Sequence, residues 1–387
     1  MSPVLATEDL AVDRQLAEIS ERFRFLLDLT PVDAADARAR FLDSTDGEPD
    51  FRYRPLEDEP EVLRAEVDAV DVESVADHTL AHLVQAKRRE LELQIEMLAA
   101  RGTSEFLALA IELYGTVGPA LLAEAQAILR ALDDAPAPSS DGHLDADQLA
   151  RLAERELDHY RATAPDLSAH VEVRADVGSV MVANGDLLIP STTQVPRARV
   201  TALLQHEIGT HVLTYVNGCH QPVRLLAAGL AGYEETQEGL ALIAEWVSGG
   251  FSPARLRQVA ARVVAVHHMV DGATFRDMHD ELVTSGFSPT AAFGITMRVF
   301  RSGGLTKDLV YLRGLGDLVA HVHAGHGLDA LWLGKMPLAA VPLVEELRDR
   351  SVLTEPLLRP RYLDEPSAAR RLARLARAET VLDLIEG

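Results

Sequence analysis

Apolar residues recur every three or four positions along most of the chain, which predicts helices. Val12, Leu16, Ile19 and Phe23 form one stripe near the start. Leu91, Ile95 and Leu98 share a face of a long helix through "AHLVQAKRRELELQIEMLAA". No heptad persists there for the several repeats a coiled coil needs, so a packed surface helix is expected. "RGTSEFLALAIELYG" predicts a helix ending near Gly115, and "LDADQLARLAERELDHY" predicts another. The pattern then changes. "HVEVRADVGSVMVANGDLLIPST" alternates apolar and polar residues, and Asn184-Gly185 suits a tight reversal between strands at 177–183 and 187–189. Pro190 and Ser191 are expected to stop the second strand, and a helix follows from about Pro196, where proline is tolerated in a first turn. Helical spacing returns at 222–230, 235–248, 253–270, 274–284, 288–300, 307–323 and 336–349. The expected fold is α+β and mostly helical, with a small antiparallel sheet beside the helix that follows Pro196 and an N-terminal helical region.

Composition sets the outer bounds. The 387 residues, 47% of them hydrophobic, can bury a large core. "DDAPAPSSDGH", from Asp133, has linker composition. It divides the chain into a helical region at 1–132, a linker or mobile loop at 133–143, a main domain at 144–350 and a helical tail at 351–387. The tail "PSAARRLARLARAETVLDLIEG" is amphipathic, and a docked terminal helix is expected over a membrane-bound one. The formal net charge of −23 opposes binding to a phosphate backbone, so nucleic acid is not expected as a partner. Cys219 is the sole cysteine, which excludes an internal disulfide. With acids where a signal peptide needs a basic region, and with no uncharged apolar span of membrane length, the expectation is a cytoplasmic protein without stable membrane association.

Candidate chemistry centres on "HEIGTH" at 206–211. His206 and His211 are candidate metal ligands. Neutral imidazoles suit zinc, and zinc lowers the pKa of bound water toward ~7. Glu207, directly after the first histidine, is placed to take a proton from that water. The familiar zinc motif spaces its histidines four apart on one helix face. Here the spacing is five, which in a regular helix leaves the side chains roughly 140° apart. One widened turn of about 4.4 residues removes the mismatch. Gly209 lies inside the gap, so a local bulge is expected around residues 208–211. A third ligand is expected from "GYEETQEGLALIAEWV", with Glu238 favoured by position and Glu234 and Glu235 as competitors.

Several stretches together resemble a known family. "HEIGTH" and "QEGLA" at 237–241 match the two signatures of the QEGLA-motif family, whose bacterial members carry the label flavohemoglobin expression-modulating proteins. That family is similar to the eukaryotic microtubule-associated tyrosine carboxypeptidases. "RVFRSGGLTKDLVYLRGL" at 298–315 looks like a third signature, and "PDFRYRPL" and "FLALAIELYG" resemble further family segments. The likeness runs from about residue 30 to residue 350. It implies a zincin-like metallopeptidase domain holding one Zn2+ through His206, His211 and Glu238, with Glu207 as general base and peptide-bond hydrolysis as the reaction. The tubulin substrate is not carried over, because a chain of charge −23 repels acidic tubulin tails. A peptide or protein C-terminus is the expected substrate.

A peptidase also needs oxyanion stabilisers and, at a C-terminus, a positive anchor. Arg298, Lys307 and Tyr311 are the candidates. Lys307 is notable because the chain has only three lysines, and Tyr311 follows it by one helical turn. Asp308 could orient a ligand histidine, while Arg301 is expected in a surface ion pair. Asn184 is expected to serve the turn, Cys219 to pack, and His267 and His268 to be core or supporting residues. His321, His323 and His326 are expected to be an incidental cluster at a helix end. The competing functional reading is a metal-stabilised regulatory or protein-binding module without catalysis. A closed site of four protein ligands would favour it.

Overall fold

The computed structural model describes residues 5–22, 24–44, 47–133 and 142–385. It is mostly helical with two small sheets, an α+β arrangement. The predicted linker at 133–143 falls mainly outside the described residues. No single described helix is long and apolar enough to cross a membrane.

The opening stripe forms α1 (Thr7–Arg22), which buries Val12, Leu16 and Ile19. The long helix is α2 (His78–Ala99), started by the Asp77 carboxylate, which accepts from Thr79 N and Leu80 N at 3.1 and 3.0 Å. It is followed by α3 (Phe106–Tyr114) and α4 (Pro119–Ala131). As expected, α3 stops at Gly115, whose φ of 80° suits glycine. α5 (Ala146–Arg161) opens with a capping box between Asp145 and Gln148. The metal-motif helix α6 spans 200–219, and α7 (Tyr233–Val247) carries QEGLA. Then come α8 (Pro253–Val270), α9 (Pro289–Phe300), α10 (Val310–His323) and α11 (Ala368–Leu375). α8 and α9 start on Ser-Pro pairs whose serine hydroxyls accept from the third residue on.

The sheet differs from the expected antiparallel pair. β1 (His143–Asp145) and β5 (Gln194–Pro196) form a two-stranded antiparallel ribbon. The larger sheet has the order β2 (Val171–Arg174), β4 (Asp186–Pro190), β3 (Met181–Ala183), and it is mixed. β3 pairs antiparallel with β4 across the Asn184-Gly185 turn, where both residues have positive φ (50° and 85°) as a primed hairpin turn requires. β2 pairs with β4 in parallel. Alternation reports which faces are buried but not strand direction, so β2 and its parallel register were not legible. The first predicted strand also starts later, at Met181, and the "GDLLIPS" strand is central, which leaves β3 as the edge nearest α6.

One apolar cluster joins Leu16 and Leu91 from the N-terminal helices with Ile208 and Val212 of α6, Leu240 of α7 and Leu315 of α10. The N-terminal region and the metal-motif part therefore share a core. The tail docks as expected: Ala368 and Leu375 are buried, and Trp246 Nε1 donates to Leu384 O at 2.8 Å.

Candidate metal centre and active-site cleft

α6 changes pitch where the spacing demanded it. It is α-helical over Val200–His206, widens to a π-type turn over Glu207–Val212, and returns to α-helix over Leu213–Cys219. The Thr210 hydroxyl donates to Gln205 O at 3.1 Å across the widened turn. A Cβ on Gly209 would lie 2.5 Å from Gln205 Oε1, so a larger residue would disturb the packing inside the bulge. The result is convergence of two imidazoles five positions apart, with ring centroids 5.1 Å apart.

α7 crosses beside them and supplies Glu238. Its Oε2 lies 3.6 Å from His206 Nε2 and 3.8 Å from His211 Nε2, too far for hydrogen bonds. That oxygen is buried with no hydrogen-bond partner. Ligand atoms of all three residues fall within 4.8 Å of one another, and among the described residues they form the one such cluster. Two imidazole nitrogens and an orphaned carboxylate oxygen facing one point suit a small divalent cation, since metal–ligand bonds of about 2.0–2.2 Å place neighbouring donors this far apart. The residues present therefore fit a metal ion.

Of the competing acids, Glu235 points away and pairs with Arg313 at 2.6 Å. Glu234 lies 3.5 Å from Lys307 Nζ. Lys307 itself donates to Glu238 Oε1 at 3.0 Å. Its ammonium thus holds the far oxygen of the candidate ligand, whereas a free substrate-facing cation was expected. This arrangement fixes which oxygen of Glu238 faces the histidines.

Glu245, on α7 but outside the QEGLA motif, orients His206. Its Oε1 lies 2.9 Å from His206 Nδ1, so Nδ1–H donates and Nε2 is left to face Glu238. Arg199 and Arg255 anchor Glu245 at 2.7 and 3.0 Å. Asp308 does not take this orienting role. It is fully buried and accepts twice from Arg298, at 2.6 and 2.8 Å, with Arg262 3.6 Å away. Arg298 in turn donates to the Tyr311 hydroxyl at 3.3 Å. Arg301 is not in a surface pair either. It is buried and donates to Thr30 Oγ1 at 2.7 Å.

Electrostatics follow from burial against charge. Burial lowers the pKa of His211 to about 3, overcoming the opposite pull of Glu238, so this imidazole is neutral. Burial also opposes charge on His206, but Glu238 and Glu245 on either side outweigh it and raise the pKa to about 9. Burial, Glu238 and Glu245 push Glu207 up to about 7, against the pull of His206. A cation at the cluster would replace the His206 proton as counter-charge to Glu238.

These groups open onto one solvent-open cleft, lined on its other walls by β3, Thr30, Arg298, Arg301, Tyr233, Tyr311 and Lys335. Glu207 faces this space from the π turn. Among the remaining predicted residues, Asn184 Nδ2 donates to Glu21 O at 2.9 Å in its turn, and Cys219 is a half-buried free thiol. His267 Nε2 lies 3.3 Å from Asp271 and His268 Nδ1 lies 3.5 Å from Glu281, and both rings are partly exposed. His321 stacks on His326 at 4.8 Å, away from the cleft.

Fold and site together define a helical α+β protein with a candidate three-ligand metal centre, an adjacent carboxylate and a cation-lined cleft, the equipment of a hydrolase. The family model for microtubule-associated tyrosine carboxypeptidase matches residues 39–380, and the chain belongs to that family, which is one of peptidases. No curated protein matches the chain.

Proposed function

We propose that the protein is a zinc-dependent carboxypeptidase, its metal held in a zincin-like arrangement by His206, His211 and Glu238 and its general base supplied by Glu207. The observation that carries this reading is the orphaned Glu238 Oε2 facing two imidazole Nε2 atoms, with Glu207 on the same widened turn. Zinc bound there would acidify water and polarise a carbonyl. Glu207 takes a proton from the attacking water as the new C–O bond forms, and it delivers that proton to the amine as the C–N bond breaks. Tyr311 accepts from Arg298, so its own hydroxyl proton is free to be donated to the developing oxyanion. Asp308 holds Arg298 rigidly for that purpose. Membership in a tyrosine carboxypeptidase family supports removal of a C-terminal residue from a peptide or protein.

The test is Glu207→Gln. The variant should keep about one zinc per chain by elemental analysis and lose roughly 10²–10⁴-fold in hydrolysis of peptides with free C-termini. Parental turnover in a zinc-loaded Glu207→Gln protein would remove the proposed base. Loss of zinc from the variant would instead make Glu207 a ligand.

A further inference from the structure

Two cavities adjoin at the metal centre, and between them they are lined by all three lysines of the chain. Two of these are already neutralised. Lys307 is held by Glu238 and Glu234, and Lys87 by Glu90 at 2.7 Å. Lys335 is different. Among the described residues no carboxylate lies within ion-pair distance of it. Its ammonium stands over two aromatic rings, 5.1 Å from the Tyr215 centroid and 5.7 Å from that of Tyr233. It lines both the metal cleft and the second, adjoining cavity.

The position of Lys335 is fixed by its backbone. Lys335 N donates to Leu226 O at 2.7 Å, and Leu230 N donates to Lys335 O at 3.0 Å. The preceding Gly334 allows that approach, since a Cβ there would lie 2.6 Å from Leu226 O. Burial lowers the Lys335 pKa to about 8, which still leaves it charged at neutral pH, and its field reaches His211. Glu21 and Glu234 act on this half-buried cation only from beyond ion-pair distance, so an arriving carboxylate in direct contact relieves the remaining penalty. The second cavity has a mixed wall, with Phe25, Leu26, Tyr215 and Tyr233 beside polar groups that include Glu21, Gln94 and Glu234, which suits a side chain with an apolar body and a polar tip, such as tyrosine.

We propose that Lys335 receives the C-terminal carboxylate of the substrate, and that the adjoining cavity takes the last side chain. The assignment rests on the carboxypeptidase reading above. It places the anchor on an irregular loop of the cleft wall, and it explains why one lysine in the cleft is left unpaired while its neighbours are not.

The test compares N-acetylated peptides ending in tyrosine, phenylalanine or leucine as free acids and as carboxamides. They are assayed with the zinc-loaded parent, Lys335→Met and Lys335→Arg. The parent should prefer free acids. Lys335→Met should lose that preference by roughly tenfold or more, read as the acid-to-amide ratio of kcat/KM and arising chiefly through KM for the free acids. Lys335→Arg should restore most of it. Zinc content and melting temperature report folding, and Lys335→Gln carries the test if the methionine variant loses either. An acid-to-amide ratio in Lys335→Met equal to the parent's would overturn the inference and leave the peptidase reading standing. So would a parent that cleaves acids and amides equally. No hydrolysis of any panel peptide by the zinc-loaded parent would remove the carboxypeptidase reading and this inference with it.

Discussion

Glu245 decides which nitrogen of His206 faces the ligand cluster, and it does so from beneath two arginines. Replacing it with glutamine should lower zinc affinity by roughly 10–100-fold, read by competition with a chromogenic chelator, because the imidazole loses a charged acceptor and becomes less basic. Unchanged affinity would show that the ring is held by packing alone. The sequence carried a signal for this residue, since Glu245 lies seven positions after Glu238 and so shares its helix face. What the sequence could not state is that α7 crosses α6 where that face meets His206 Nδ1. The same gap explains Asp308. Its place in the motif was legible, but its partners are Arg298 and Arg262, not a histidine. Burial opposes the Asp308 charge, but the arginines prevail and hold its pKa below the usual carboxylate range. Its folded pKa is depressed, so the stability it contributes is complete above about pH 4 and is lost as pH falls further. Asp308→Asn should therefore destabilise the protein by about 3–5 kcal/mol at neutral pH, leaving two buried arginines uncompensated. In denaturant melts across pH, the variant should also lose part of the parent's decline on acidification. An equal decline would place the linkage in other carboxylates.

At the scale of elements, the site depends on one distorted turn and one close crossing. The distortion was legible, because two ligands five apart cannot share the face of a regular helix. The crossing was not. α7 and α10 meet at two glycines: a Cβ on Gly239 would lie 2.4 Å from Gly314 O, and one on Gly314 would lie 2.0 Å from Glu235 O. Gly239, in the middle of QEGLA, thus brings the start of α10, with Tyr311, and the preceding Lys307 against Glu238. Gly239→Ala must push backbone against backbone, and it should cost about 1–3 kcal/mol in denaturant melts and weaken zinc binding. Gly294 in α9 supplies the control, because no atom lies within 4 Å of the Cβ an alanine would add there. Gly294→Ala should be neutral or stabilising by up to ~1 kcal/mol, as expected for glycine in a helix interior. Equal losses in the two variants would mean that helix propensity, and not the crossing, sets the effect. The sheet was the least legible element. The Asn184-Gly185 turn was readable from its residue types, whereas the parallel partner of β4 comes from a strand with no turn linking the two.

For the whole molecule, the net charge is not the charge balance of the cleft. The chain's −23 opposes acidic substrates, yet the candidate metal cleft is close to charge balance: Arg298, Arg301, Lys307 and Lys335 line it beside Glu207, Glu234 and Glu238, and Lys335 is left without an ion pair among the described residues. Composition exposes the first fact and hides the second, because it counts charges without placing them. The two effects act over different distances. The monopole is felt outside the cleft, over a Debye length of about 30 Å at 0.01 M salt that shrinks to about 8 Å at 0.15 M. Charges inside a partly buried cleft are screened much less. Added salt should therefore remove long-range repulsion faster than it removes the attraction at the site. For peptides that carry several acidic residues before a common C-terminus, kcat/KM should rise across that salt range. It should fall for the matching basic peptides and change little for neutral ones. A fall for the acidic series would mean that the field of the cleft extends past its mouth and outweighs the net charge, making acidic chain ends the preferred approach from solution as well as at the site.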